Sequence, residues 1–155
     1  MHDLEQYIRS IPDFPEEGII FRDITTLLKD ADALQKTLDA LCEPYEASSI
    51  DQVVGIEARG FILGGALACR LNAGFVPIRK EGKLPAEKVK QSYTLEYGTD
   101  TLEMHRDAIS EGDSVLMFDD LLATGGTMSA SCQMVESLGG HIAGCAFLIE
   151  LDPLE

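Results

Sequence analysis

A chain of 155 residues with 45% apolar content is long enough for one compact domain with its own core. The formal net charge is −15, from 27 acidic against 12 basic residues, which argues against nucleic acid or an anionic membrane as partner, since both need a basic footprint. No apolar run approaches spanning length, and the acidic N-terminus lacks the features of a signal peptide.

In chain order, Asp3 is placed to cap a short helix in which Leu4, Tyr7 and Ile8 share a face. Pro12 and Pro15 forbid its continuation, and residues 16–25 follow as a short, extended, loop-like stretch. From Asp32, the positions Leu34, Thr37, Leu38, Leu41, Cys42 and Tyr45 recur at helical spacing, and Pro44 kinks or ends that helix. Gln52–Ile56 reads as a strand, 61–71 as a helix terminated over 72–74, and 75–79 as the next strand. Such a βαβ unit favours a right-handed crossover and a parallel sheet.

Residues 80–92 have poor periodicity and one proline, the pattern of a mobile loop. It flanks a hairpin arm, 93–97 with 101–106, turned at 98–100. Along the second arm strand Leu102 and Met104 share one face, while Thr101, Glu103 and His105 share the other. On that pattern alone Glu103 is an exposed strand carboxylate, and His105, His2 and His141 are surface residues. Seven of the twelve basic residues lie between Arg59 and Lys90, either as a solvated basic face or as an anion site. Screening over roughly 8 Å at physiological salt makes this local reversal weigh more than the net charge.

Residues 114–118 form a buried strand that delivers Asp119 and Asp120 to a turn. Ala123, Thr124, Gly125, Gly126 and Thr127 follow, and an amphipathic helix over 128–138 closes on Gly139 and Gly140. A strand over 142–149 completes a second βαβ unit. Free backbone N–H groups at a strand's carboxyl end, backed by a helix dipole, make a site for an anion such as phosphate. A Walker loop needs a Lys after its glycines, yet no Lys or Arg occurs from Asp107 to Glu155. The three-glycine spacing of a dinucleotide fold is missing as well. Amides and the hydroxyls of Thr124 and Thr127, beside two carboxylates, suit a sugar phosphate, although any α/β protein may carry an acidic turn with a Gly-rich connection. The four cysteines, Cys42, Cys69, Cys132 and Cys145, lack metal-like spacing and fall in helix or strand patterns, which makes them small core residues in a reducing, cytoplasmic setting.

The run from Phe118 through Asp119, Asp120 and Ala123 to Thr127 resembles the 5-phosphoribosyl 1-pyrophosphate (PRPP) signature of type I phosphoribosyltransferases. Its flanks are similar to the members that use adenine. The resemblance extends from about Ile11 to Leu151. It implies one α/β domain over 1–155, a central parallel twisted sheet flanked by helices. A small N-terminal hood over 1–30 would recognise the base, and a flexible loop with a hairpin arm would span 80–106. The implied reaction is adenine plus PRPP giving AMP and pyrophosphate, in a cytoplasmic homodimer active in purine salvage. Mg²⁺ is the implied cofactor, held mainly by PRPP and water near Asp119 and Asp120.

Residue roles follow from the same likeness. Phe21 would stack on the base while the backbone groups of Ile20 and Arg22 read its edge; from the residues alone Phe21 equally serves as a core plug. Glu57, Ala58, Arg59 and Gly60 resemble the pyrophosphate loop, with Arg59 on a phosphoryl oxygen and a cis peptide at Glu57–Ala58. Lys83 resembles a lid residue that joins Arg59 on the leaving group. Arg79 and Lys80 match positions near a dimer interface. Glu103 matches a proton donor or polar guide to the purine. Asp119 and Asp120 would fix the ribose hydroxyls, and residues 123–127 would hold the 5′-phosphate. Enzymes for 6-oxopurines carry a lysine roughly thirty residues beyond the carboxylate pair, and the region around Glu150 has none. Two departures stand out. Met117 and Phe118 replace smaller aliphatic residues, a packing change. The chain also stops at Glu155 where relatives continue, implying a trimmed or disordered tail, or a bare sheet edge with reduced stability or activity. Two rival readings are a transferase for another nucleobase and a PRPP-binding regulator without catalysis.

Overall fold

In the computed structural model, which describes residues 2–95 and 97–151, the contacts divide the chain into two units, Met1–Glu43 and Pro44–Glu155. The expected side chain of His2 and the tail beyond 151 lie outside the described residues, as does position 96 of the expected 93–97 strand.

The first unit opens with a 3-10 turn, His2–Tyr7, so Asp3 sits inside the turn instead of capping a helix ahead of it. Leu4, Leu27 and Ala33 form its core, with Tyr7, Ile8 and Leu28 packed on them. Where the sequence suggests an extended loop, the structure has an antiparallel hairpin, β1 (Arg9–Pro12) with β2 (Ile20–Asp23). The buried carboxylate of Asp23 explains the difference: it binds the Arg9 guanidinium across the hairpin and takes the Thr25 amide at 2.9 Å and hydroxyl at 2.6 Å. Those contacts tie β1, β2 and the short α1 (Thr25–Leu28) into one node. The Thr25 hydroxyl first, then Arg9, hold the Asp23 carboxyl at about 2. Helix α2 (Ala31–Cys42) is capped by Asp30, which accepts the Ala33 amide at 2.9 Å, and it stops before Pro44. Thr37, Leu38, Leu41 and Cys42 are buried along it as the helical spacing requires.

The second unit is built on a six-stranded sheet in the order β5-β6-β4-β3-β7-β8. Its parallel strands are β3 (Gln52–Ile56), β4 (Gly74–Lys80), β7 (Ser114–Leu122) and β8 (His141–Glu150), with β8 at the sheet edge. The antiparallel hairpin β5 (Lys88–Thr94) and β6 (Thr99–His105) extends one edge through β4. Val53, Val54, Val115, Leu116, Met117 and Phe118 are fully buried, the unbroken apolar run of strands covered on both faces. Helix α4 (Gly126–Ser137) covers one face, with Met128, Met134 and Val135 against Val54, Met117 and Leu102. Helix α3 (Gly60–Arg70) approaches the other, where Gly64 meets Phe75 and Phe118, and Phe61 packs edge-on against Phe75. Met117 and Phe118 therefore fill the two opposite faces.

Several boundaries differ from the sequence-based expectation. Strand β7 runs four residues past Phe118, because β8 is long enough to pair Leu121 with Ile149 and Leu122 with Glu150. The acidic pair thus occupies the sixth and seventh of the strand's nine residues. Strand β5 starts at Lys88, paired with His105, which shortens the loop to 81–87. Cys42 alone of the four cysteines is buried; Cys132 is half-buried, and Cys69 and Cys145 are exposed. The reason for Cys145 is that β8 is an edge strand with no fully buried residue. His141 is exposed as expected, whereas His105 is half-buried beside the β5 strand.

Candidate active site

β3 and β7 are adjacent and parallel, so their carboxyl ends lie side by side, where open α/β sheets place ligands. β3 leads into Glu57–Arg59 and then α3; β7 leads through Ala123–Gly125 into α4. The two turns enclose a cleft of about 290 Å³, lined by Glu57, Ala58, Arg59, Asp119, Asp120 and the loop Ala123–Thr127. Lys80, Tyr93, Leu102, Met128 and Phe147 are among its other walls. The Glu57–Ala58 peptide is cis, as the resemblance implied.

Two glycines set the shape. Gly125 has φ +84, a left-handed conformation that costs a glycine little and lets the chain turn sharply from β7 into α4. Gly125 brings no side-chain cap, so the first-turn amides of α4 have neither intrahelical partners nor a capping oxygen from it. Gly60 lies under the acidic pair: a Cβ there would stand 3.2 Å from Asp119 Oδ1.

Asp120 is buried and pairs with Arg59, whose Nε lies 2.9 Å from Asp120 Oδ2. Asp119 Oδ1 accepts the Asp120 amide at 2.8 Å. Burial, followed by the side chain of Asp120, raises the Asp119 carboxyl to about 7, with Arg59 only partly offsetting the effect. Asp119 is therefore easier to protonate than an ordinary aspartate, because its charged form is partly desolvated and faces a second carboxyl.

Glu57 collects the basic residues at the other side. Its carboxylate accepts Arg79 Nη2 at 2.9 Å, the Lys80 amide at 2.8 Å and Lys83 Nζ at 2.6 Å. Burial alone would raise this carboxyl, but the hydrogen bonds from Lys83, the Lys80 amide and Arg79 outweigh it and hold it at about 2. The Lys80 ammonium turns to Asp100, which also receives the Tyr93 hydroxyl at 3.2 Å; that contact raises the Lys80 pKa and lowers that of Asp100.

The sequence-derived residues are thus distributed unevenly. Arg59, Asp119, Asp120 and residues 123–127 meet in one cleft, and Glu57 links Arg79 and Lys83 to its edge. Glu103, expected as a proton donor or guide to the purine, is not among the cleft residues. It is 2% exposed and accepts the Gly82 amide at 2.6 Å, which anchors the 81–87 loop. Ile20, Phe21 and Arg22 form β2 in the first unit, where Phe21 packs edge-on against Phe14 at 5.2 Å between ring centres. Sequence reading missed Tyr93, Asp100 and Phe147. Only the β5–β6 register, which pairs Tyr93 with Asp100, brings that pair to Lys80.

Comparison with known proteins agrees with this geometry. Residues 25–153 match the phosphoribosyl transferase domain family. An adenine phosphoribosyltransferase of Geotalea daltonii is 60% identical over 152 residues, covering 98% of this chain and 89% of that protein. The crystal structure of the adenine phosphoribosyltransferase of Rhodothermus marinus superposes with a TM-score of 0.92 at 58% identity, covering 97% of this chain and 85% of that one. The Saccharomyces cerevisiae enzyme, complexed with an imino-altritol bisphosphate and adenine, gives 0.91 at 40% identity, covering 97% and 88%. The chain therefore belongs to the type I phosphoribosyltransferase family, among its adenine phosphoribosyltransferases.

Proposed function

We propose that this chain transfers the phosphoribosyl group of PRPP to adenine, giving AMP and pyrophosphate, through the cleft at the ends of β3 and β7. The observation that carries the reading is the junction of the uncapped, Gly-rich start of α4 with the Arg59–Asp120 pair. The 5′-phosphate sits on the amides and hydroxyls of residues 123–127, at the positive end of the helix. Asp119 and Asp120 accept hydrogen bonds from the ribose hydroxyls. Arg59 then exchanges its contact with Asp120 for the departing pyrophosphate, and Lys83 leaves Glu57 to join it.

Breaking the bond at C1′ passes through an oxocarbenium-like state, so the work of the protein is alignment and charge stabilisation. Exclusion of water protects that cation, and the 81–87 loop, anchored by Glu103 and Glu57, is the segment placed to do so. Phe21 stacks on the adenine ring, with the backbone of Ile20 and Arg22 reading its edge. Glu103 acts on the purine through the loop it anchors.

Two adjacent carboxylates, one raised to about 7 by burial and its neighbour, fit a divalent cation that takes most ligands from substrate and water. Among the described residues no cluster of three or more His, Cys, Asp or Glu side chains forms a protein cage. Mg²⁺ would be held beside Asp119 and Asp120, and it neutralises pyrophosphate charge and orients ribose hydroxyls when bound. The working form is a homodimer, in which Arg79 and Lys80 lie near the neighbouring site; light scattering reads this directly. Four free thiols suit a cytoplasmic setting. No helix among the described residues is long and apolar enough to cross a membrane.

The deciding experiment incubates the protein with PRPP, Mg²⁺ and each nucleobase in turn, and quantifies nucleotide and pyrophosphate. AMP from adenine is expected, with little product from hypoxanthine or guanine. No product from any base would leave only a PRPP-binding regulator. Within the site, Asp120→Asn should raise the PRPP concentration needed for half-maximal rate and lower kcat/KM about a hundredfold. Unchanged kinetics would remove Asp120 from the mechanism.

A further inference from the structure

Outside the cleft, two thiols from different elements meet. Cys132 on α4 and Cys145 on β8 place their sulfurs 3.7 Å apart, with Cys145 exposed and Cys132 half-buried. A disulfide needs about 2.05 Å between sulfurs. The gap is smaller than the distance a cysteine sulfur travels between two staggered rotamers. Backbone on either side is held: Cys145 is paired in register with Met117 of β7, and Cys132 packs on the core beneath α4.

We propose that Cys132 and Cys145 form a dithiol site that low-molecular-weight disulfides oxidise to an intramolecular disulfide, clamping the phosphate-loop helix to the edge strand. The exposed Cys145 thiolate attacks one sulfur of the external disulfide and expels one thiolate, leaving a mixed disulfide on Cys145. That thiolate takes up the proton of Cys132. The Cys132 sulfur then attacks Cys145 Sγ and expels the second thiolate, which takes up the proton that Cys145 released to solvent on ionising. The protein loses two electrons and two hydrogens, and the external disulfide becomes two thiols.

The order of attack follows from the surroundings. Burial, then the neighbouring Cys145, with Glu136 adding to them, pushes the Cys132 thiol up to about 12, so it is the poorer first nucleophile. Once Cys145 is capped as a mixed disulfide it carries no charge, and that part of the obstacle disappears. The two residues are thirteen apart, so the bridge closes a short loop and stabilises mainly by restricting the unfolded chain.

The test treats the whole protein with glutathione disulfide, then measures intact mass, maps the peptides and records Tm. The expected result is a loss of two hydrogens, a Cys132–Cys145 linked peptide and a Tm raised by several degrees, all reversed by dithiothreitol. Cys132→Ser and Cys145→Ser should each abolish the link, and peptide mapping of the unaltered chain decides the matter if either variant folds poorly. A mixed disulfide that persists on Cys145, bridges formed only between chains, or an unchanged mass would each overturn the proposal.

Discussion

Glu57 and Asp119 are both withdrawn from water around one cleft, yet they titrate in opposite directions. Three donors surround Glu57, whereas Asp119 has another carboxylate beside it. For Asp119 the folded value, about 7, lies above the ordinary 3.8, so its favourable contribution is complete below pH 3.8 and is lost as pH rises through about 7. Asp119→Asn should therefore raise Tm at pH 8, with the gain fading toward pH 4, while the reaction slows. Identical melting of the two proteins at pH 8 would contradict the assigned burial. Glu57 has the opposite sign: its contribution is present above pH 4.5 and is lost as pH falls through about 2. Glu57→Gln should cost about 1–2 kcal/mol in urea unfolding at pH 7 and raise the KM for PRPP more than it lowers kcat, because Lys83 and Arg79 lose their holder. A kcat effect with KM unchanged would assign Glu57 a different role.

At the scale of elements, capping and strand length were the features hardest to read in advance. Asp30 caps α2 although the helical spacing becomes evident only from Asp32, and Asp30→Ala should cost about 1 kcal/mol in thermal or denaturant unfolding. A loss below the error of the measurement would show that packing of Ala33 and Thr37 alone holds the first turn. The βαβ units were legible because Gln52–Ile56 and the run before Asp119 are unbroken apolar strands. The end of β7 was not, since Asp119 and Asp120 read locally as turn residues. Pairing with β8 keeps them extended. The β1–β2 hairpin was hidden for a similar reason: the contact that closes it joins Arg9 to Asp23 across fourteen positions.

For the whole molecule, 27 acidic residues against 12 basic ones generate mutual repulsion in the folded state. Raising salt from 10 to 150 mM shortens the Debye length from about 30 to about 8 Å, so Tm should increase over that range at pH 7. A flat or falling Tm would mean that the local ion pairs, among them Arg59–Asp120 and Lys83–Glu57, outweigh the general repulsion. The same distribution lets an acidic protein handle an anionic substrate. Arg79 and Lys83 on Glu57, Arg59 on Asp120 and Lys80 in the cleft wall put four of the twelve basic residues at or beside the cleft.

The amino-acid sequence alone determined the βαβ framework and the family, because these depend on local periodicity and on a short run of residues whose order is their chemistry. The resemblance to the family, and no pattern in the residues themselves, pointed to the cis peptide at Glu57–Ala58. Tertiary structure decided the rest: that Glu103 is buried against the Gly82 amide, that Glu57 gathers Arg79 and Lys83, and that Cys132 faces Cys145. Each of those contacts joins residues thirteen or more positions apart. Whether a carboxylate is solvated, paired or raised in pKa depends on partners that only strand register and helix packing can bring to it.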